Sequence, residues 1–397
     1  MIARHLAPKL AAAARKYPVV TVTGPRQSGK TTLVRSAFPK AQDVSLEAPD
    51  QRTFATEDPR GFLRQFTGRV ILDEIQRVPE LFSYIQVLAD EAPRPGRFIL
   101  TGSQNFLLLN NISQTLAGRS AILHLLPFSL AELNRHPPVV PESLGELHPR
   151  RRPTAGELLS VLHTGFYPRI HDQKLDPAQW LAGYVQTYVE RDVRNVLNVG
   201  DIDTFDRFVR LCAGRNGQLL NLSSLAADCG VSHTTARRWI SLLEASFIAY
   251  QLRPHHQNFS KRLIKSPKLY FLDTGLLCYL LRIRTSEDLP SHASRGAIFE
   301  SLVVSELVKS YLHRGMEADI YFWRDSTGHE VDVLIDSGKR LLPIEIKSGQ
   351  TVASDSTEGL DYWRTLAGDS AGPAALIYGG DQSYVRHDVA FHSWRDM

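Results

Sequence analysis

Cysteine is scarce in this chain and forms no pattern. Cys212, Cys229 and Cys278 are the only three among 397 residues, and no two make a Cys-x-x-Cys pair. That leaves no zinc motif and predicts reduced, partly buried thiols. Long apolar runs are missing as well. None approaches the roughly 20 residues needed to span a bilayer. Residues 1–16 have apolar positions at helical spacing, but Arg4, His5, Lys9 and Arg15 interrupt the continuous apolar region a secretory signal needs. A cytoplasmic location is therefore expected, with no membrane partner. Excess charge is small: 46 Lys and Arg against 42 Asp and Glu give +4, a lean towards anionic partners that decides nothing alone. Hydrophobic residues at 43% and charged residues at 22% are ordinary for a globular protein, and the length allows two or three domains.

What is there centres on one stretch. Val19–Thr23 is an apolar, β-branched run, and Gly24-Pro25-Arg26-Gln27-Ser28-Gly29-Lys30-Thr31-Thr32 follows it and opens into a helix-forming segment. The pattern G-x-x-x-x-G-K-[ST] is complete. Glycines let consecutive N–H groups turn inward around phosphates, and the new helix adds its positive end. Lys30 is placed for the β- and γ-phosphates of ATP, and the Thr31 hydroxyl for Mg²⁺. Residues 24–32 are thus the expected nucleotide cradle.

Arg69–Glu74 adds a second strand, ending in two carboxylates. Ligands gather at the C-terminal edge of a parallel sheet. Asp73 is placed to hold the Mg²⁺ shell, and Glu74 to orient and deprotonate a water. Phe98–Asn105 repeats the arrangement of apolar strand and polar tip, as in triphosphatases with an extra strand between the two Walker strands. Ser103 is the candidate near the γ-phosphate, with Thr101 and Asn105 close behind. Arg119, before the run Ala121–Leu126, could neutralise transition-state charge in its own subunit or a neighbour's; a surface arginine at a turn is an equal reading.

Taken in order, Gly24–Thr32, Leu72-Asp73-Glu74-Ile75-Gln76, Leu100–Gln104, Ala117-Gly118-Arg119 and Pro127-Phe128-Ser129 resemble a widespread prokaryotic family of AAA-type ATPases with a C-terminal domain of unknown function. The similarity runs through nearly the whole chain. It implies that Lys30, Thr31, Asp73 and Glu74 form the nucleotide site, and it implies little about cellular role.

Residues 135–154, with five prolines and Arg150-Arg151-Arg152, have the composition of a solvated linker between the first domain, 1–134, and a middle domain, 155–290. In the middle domain, Gly165–Arg169 and Tyr184–Val193 again resemble the family. Glu190, Arg191 and Asp192 read as a charged helix face. Leu225–Leu243 is a helix-turn-helix candidate: Gly230 permits the turn, Ser232 caps the second helix, and Val231, Ala236, Ile240 and Leu243 pack inward. His233, Thr234, Arg237 and Arg238 then lie on the face available to DNA. The following stretch carries Arg253, Lys261, Arg262, Lys265 and Lys268 without an acidic residue up to Leu272, as a phosphate-contacting wing would. A packing or protein-contact role is the alternative.

The last domain, 291–397, reads as a helix around Glu300 followed by strands 320–324, 330–335 and 342–347. Asp332, then Glu345-x-Lys347 one hairpin later, resembles the restriction-endonuclease-like fold. That resemblance implies that Asp332, Glu345 and Glu300 hold a divalent metal and that Lys347 stabilises charge or positions water. An inactive binding module on the same fold is the alternative.

The expected fold class is thus α/β: an AAA-like P-loop domain, a helical and winged-helix middle, and a nuclease-like end. The expected function is a Mg²⁺-dependent ATPase that couples nucleotide state to a module acting on DNA. The rival is a nucleotide-gated switch that binds protein. Self-association into a homo-oligomer is compatible with either.

Overall fold

The computed structural model describes residues 2–103, 116–147, 156–188, 202–255 and 264–397. They fall into two compact units. One comprises residues 1–128, 245–247 and 312–316; the other comprises 129–244, 248–311 and 317–397.

In the first unit, strands β1 (Val19–Thr23), β2 (Gln42–Ser45), β3 (Val70–Asp73), β4 (Phe98–Gly102) and β5 (Ser120–His124) form a parallel sheet in the order β2-β3-β4-β1-β5. Successive side chains of a strand point to opposite faces, so a continuous apolar run can feed two cores. Val19, Leu72, Phe98 and Leu100 join Phe62, Phe82 and Ile85 on one side. Val20, Val22, Ile71 and Ile99 join Leu10, Leu33 and Val34 on the other. Helices Ala7–Ala13 and Lys30–Ala37 serve the second core, and helices Pro59–Arg64 and Leu81–Glu91 the first. Both faces are therefore dry, and only the strand ends are left for chemistry.

His124 closes β5. Its Nδ1 is buried without a hydrogen-bond partner, although the residue as a whole is only half-buried. Burial pushes its pKa down to about 4. The folded unit therefore binds fewer protons than the unfolded chain between that value and the ordinary 6.5. The stability held above pH 6.5 drains away as pH falls towards 4. The loss should be about 1–3 kcal/mol. Urea melts from pH 7.5 to 4.5 test this: His124→Phe should flatten that part of the profile, and an unchanged slope would refute it.

The second unit joins helices to a mixed sheet. Strands β8 (Ile320–Arg324), β9 (Glu330–Asp336), β10 (Leu341–Lys347), β11 (Ala374–Tyr378), β12 (Tyr384–Arg386) and β13 (Val389–Ser393) are ordered β12-β13-β11-β10-β9-β8. β8, β9 and β10 pair antiparallel, and β10-β11 and β11-β13 pair parallel. The helix Glu358–Ala367 seals one face through Leu360 and Trp363, against Trp323, Val331, Leu334, Leu376 and Phe391.

Helices Leu222–Cys229 and His233–Ala245 are separated by Gly230 in the left-handed conformation, which a glycine adopts at no steric cost. The Ser232 hydroxyl accepts from the Thr235 N–H at 3.0 Å. Ala236, Trp239, Ile240 and Leu243 are buried, and Trp239 meets Phe205 and Phe208 edge-on at 5.2 and 5.1 Å. Strands β6 (Ala249–Leu252) and β7 (Lys268–Phe271) form an antiparallel ribbon after the second helix.

Most of 155–290 and most of 291–397 fall in the second unit. Two expectations change here. The segment 135–147 is not merely solvated: Val139, Pro141 and Leu144 are buried, and the Leu144 carbonyl lies 2.6 Å from His392 Nε2. Apolar residues between the prolines give it anchorage, and a proline has no N–H to satisfy. Finally, Lys268 is only 4% exposed and paired with carboxylates, so it does not face phosphates as a wing residue. Glu190, Arg191, Asp192, Lys261, Arg262 and Arg150–Arg152 lie outside the described residues.

Candidate functional site

The phosphate loop leaves the C-terminal end of β1, in the middle of the parallel sheet. Gly24 is where β1 must pass close to the next chain segment: a Cβ there would overlap the Leu125 carbonyl oxygen. Gly29 has φ of 91° and caps the helix Lys30–Ala37. Lys30 is buried, and its ammonium donates to the carbonyls of Gly24 at 3.0 Å and Pro25 at 2.7 Å. Arg4 donates to the Ser28 carbonyl at 2.6 Å and to the Leu126 carbonyl at 2.6 Å, tying the loop to the segment after β5. Gln27 and Thr32 are exposed, and Arg26 reaches Glu47 at 4.0 Å.

β4 lies between β1 and β3, so the carboxylates at the end of β3 stand one strand away from the loop. Asp73 Oδ1 accepts from the Thr31 hydroxyl at 3.1 Å and also from the Thr101 hydroxyl. Glu74 sits in the left-handed region, with φ of 56°. Backbone strain of that kind costs about 1–3 kcal/mol and persists only where surroundings enforce it. Here Gln76 Nε2 donates to Glu74 Oε2 at 2.5 Å, and the Ser103 hydroxyl donates to the same oxygen at 3.2 Å. Thr31, Asp73, Glu74, Thr101 and Ser103 thus converge on one end of the sheet; Asn105 lies outside the described residues. Gln76 was not legible as a site residue. Its one sequence signal was its place at the end of the Leu72–Gln76 stretch; that it is buried emerges only from the fold.

The residues fit a nucleotide phosphate and its metal ion. Ser28 Oγ is buried inside the loop with no hydrogen-bond partner, an orphaned donor where a phosphate oxygen would be met. Thr31 and Asp73 are a hydroxyl and a carboxylate already in contact, the donor types Mg²⁺ takes.

Arg119 is different. It precedes β5, and its carbonyl accepts from the Val19 N–H at the start of β1. The phosphate loop begins at the other end of β1, roughly 15 Å away at the rise of an extended strand. Its guanidinium is engaged by Asp90 and by the Ala117 carbonyl at 3.1 Å. A role at the phosphates of its own subunit is therefore corrected: the parallel register puts it at the opposite edge of the sheet.

In the second unit, Glu300, Asp332, Glu345 and Lys347 do come near one another, with three residues the sequence reading did not place there: Lys268, Tyr270 and Glu330. Lys347 donates to Glu345 Oε1 at 2.6 Å, and Asp332 Oδ2 accepts from the Ile346 N–H at 2.8 Å. Burial pushes the Asp332 carboxyl well above its usual range, and the neighbouring Glu345 and Glu300 reinforce the shift. Burial likewise raises Glu345, against the opposing pull of Lys347. Among the described residues no group of three or more His, Cys, Asp or Glu is arranged to hold a metal ion. The reason is in the cluster: the Lys268 ammonium lies 3.3 Å from Glu300 Oε1 and 4.0 Å from Asp332 Oδ1. These residues do not fit the expected divalent ion.

Three family models match the chain: AAA domain over residues 16–134, Domain of unknown function (DUF8612) over 156–287, and Domain of unknown function (DUF4143) over 295–395. "Uncharacterized protein Rv2008c" of Mycobacterium tuberculosis and "Uncharacterized protein Mb2031c" of Mycobacterium bovis are each 31% identical over 353 residues, covering 88% of this chain and 74% of theirs. Among solved structures, the Walker-type ATPase PABY2304 of Pyrococcus abyssi is 15% identical, covering 70% of this chain and 96% of that one, with a TM-score of 0.43. The RuvB Holliday junction branch migration motor of Thermotoga maritima is 20% identical over 62% of this chain and 88% of that one, with a TM-score of 0.29. At such TM-scores the two structural likenesses carry nothing further. The identity and coverage of the mycobacterial sequences do: the chain belongs to their family, with an AAA-type domain over residues 16–134 and a domain of unknown function over residues 295–395.

Proposed function

We propose that this protein hydrolyses ATP and uses its nucleotide state to govern a DNA-contacting module in the second unit. The observation that carries the first part is the carboxylate of Glu74, held by Gln76 and Ser103 beside the Asp73–Thr31 pair. In this reading the loop 24–32 binds the phosphates and Lys30 leaves its loop carbonyls for them. Glu74 orients a water and takes its proton. Mg²⁺, held by Thr31 and Asp73, supplies charge neutralisation at the phosphates. Arg119 is kept only as a group offered to a neighbouring subunit.

For the second part, His233, Thr234, Arg237 and Arg238 are exposed on the helix His233–Ala245 while its other face is buried. Basic side chains on a free helix face suit a phosphate backbone. Cleavage is not part of the proposal, since the C-terminal carboxylates do not fit a metal ion. The test is phosphate release with and without duplex DNA, together with DNA affinity across a salt series. Arg237→Glu with Arg238→Glu should weaken binding and reduce the slope of log K against log salt by about 2. If the wild-type protein neither binds DNA nor changes its ATPase rate, the nucleotide-gated protein switch becomes the better reading.

A further inference from the structure

Lys268 stands at the start of β7 and is buried, yet the surface it meets is almost wholly acidic. Its ammonium touches Glu330 Oε1, lies 3.3 Å from Glu300 Oε1 and 4.0 Å from Asp332 Oδ1. The Tyr270 hydroxyl, two residues along the same strand, donates to Glu300 Oε1 at 2.7 Å. Arg324 holds the other oxygen of Glu330 at 3.1 Å, and Lys347 holds Glu345. Four carboxylates thus face three cations.

The position of Lys268 is built, not incidental. Asn216 is buried, and its Oδ1 accepts from the Phe271 N–H and the Ser301 hydroxyl, both at 2.9 Å. Its Nδ2 donates to the Ala297 carbonyl at 2.9 Å. One side chain therefore pins β7 to the helix Arg295–Leu312, which carries Glu300. The Gly217 N–H adds a bond to the Leu269 carbonyl at 2.7 Å, and Gly217, with φ of 76°, leaves room beside Glu300 that a Cβ would crowd. A strand fixed in this way delivers its first side chain to one place.

We propose that Lys268 is the resident cation of this carboxylate cluster. Its ammonium holds the place a divalent ion takes between Asp332, Glu345 and Glu300, so the cluster docks the β6–β7 ribbon instead of binding a metal. Metal–carboxylate bonds need oxygens at about 2.0–2.6 Å around a single ion. An ammonium already seated among those oxygens both fills that space and repels a second cation. An unpaired carboxylate in this setting is strongly destabilising, and the lysine offsets that. The inference does not depend on ATP hydrolysis.

Mn²⁺ binding to the full-length protein without nucleotide tests it, followed by calorimetry and by electron paramagnetic resonance of the free ion. The wild type should show the same Mn²⁺ uptake as Asp332→Asn, because neither uses the cluster. Lys268→Met removes the charge and keeps most of the stem. It should gain one Mn²⁺ per chain, at least tenfold tighter than any site in the wild type, and lose it again on addition of Asp332→Asn. If Lys268→Met does not fold, the comparison of wild type with Asp332→Asn still decides. A wild-type Mn²⁺ site that Asp332→Asn abolishes overturns the proposal, and so does a folded Lys268→Met that gains none. Loss of ATPase activity in Lys30→Ala bears on the nucleotide site alone.

Discussion

Glu74→Gln should bind ATP as the wild type does and turn it over about 10²–10⁴ times more slowly, the range a positioned general base contributes. The substitution keeps an oxygen for the Ser103 hydroxyl, now 3.2 Å from Glu74 Oε2, and removes the group that can take a proton. It leaves Asp73 and Thr31, 3.1 Å apart, untouched. Lys30→Ala should fail at the earlier step. Its ammonium is buried in the loop and carries the local positive charge, so nucleotide binding itself should be lost. Equilibrium binding of a fluorescent ATP analogue and single-turnover phosphate release separate the two. A Glu74→Gln protein that turns over at the wild-type rate would take the water-activating role away from Glu74. A Lys30→Ala protein that binds normally would remove the loop from the site.

Lys309→Met should cost the second unit about 3–5 kcal/mol, the usual penalty for stranding a buried charge. Lys309 and Glu306 are both buried on the helix Arg295–Leu312, and Nζ donates to Glu306 Oε1 at 2.9 Å. Glu306 Oε2 accepts from the Leu130 N–H at 2.8 Å, so this carboxylate also ties the start of the short helix Leu130–Leu133 to the helix Arg295–Leu312. Burial already lifts the Glu306 carboxyl above its usual range, with Lys309 as the first force opposing it. The ammonium also lies 3.9 Å from the centroid of the Phe166 ring, which adds a contact the methionine keeps only in part. Adding Glu306→Gln to Lys309→Met should restore part of the loss, because Glu306 is then no longer a stranded charge, although the buried Asp273 still lacks the ammonium. Urea unfolding followed by tryptophan fluorescence gives both values, provided the transitions of the two units are resolved. A single mutant within about 1 kcal/mol of wild type would mean that water reaches the pair.

Local order carried much of the nucleotide site. The residues from Gly24 to Thr32 are contiguous, and a strand, a glycine-bounded turn and a helix can be read from spacing alone. Asp73 and Glu74 were legible because an apolar strand must end somewhere, and in a parallel sheet that end is shared with β1. The alternation of Val19, Val20 and Val22 between two cores also follows from strand geometry, once both faces of the sheet are covered.

What the chain does with distant residues was beyond that reading. Arg119 looked catalytic from its place in the sequence order. Only the parallel register, Val19 beside Ser120, puts it at the far edge of the sheet. Lys268 looked like one basic residue among several in an exposed stretch, because its acidic neighbours stand 32 or more residues away in Glu300, Glu330 and Asp332. Linear charge counting sees a basic strip there, whereas burial depends on what packs over it. The same holds for Gln76, whose role exists only because β4 brings Ser103 to Glu74. The sequence by itself determined the phosphate loop and the strand-end carboxylates, each written within a few consecutive residues, and the family, written in the order of several such short stretches. The tertiary structure decided which charges meet. A charge is stabilised or stranded by its neighbours in space, at energies of several kcal/mol when buried, and those neighbours come from strands that sequence order does not pair.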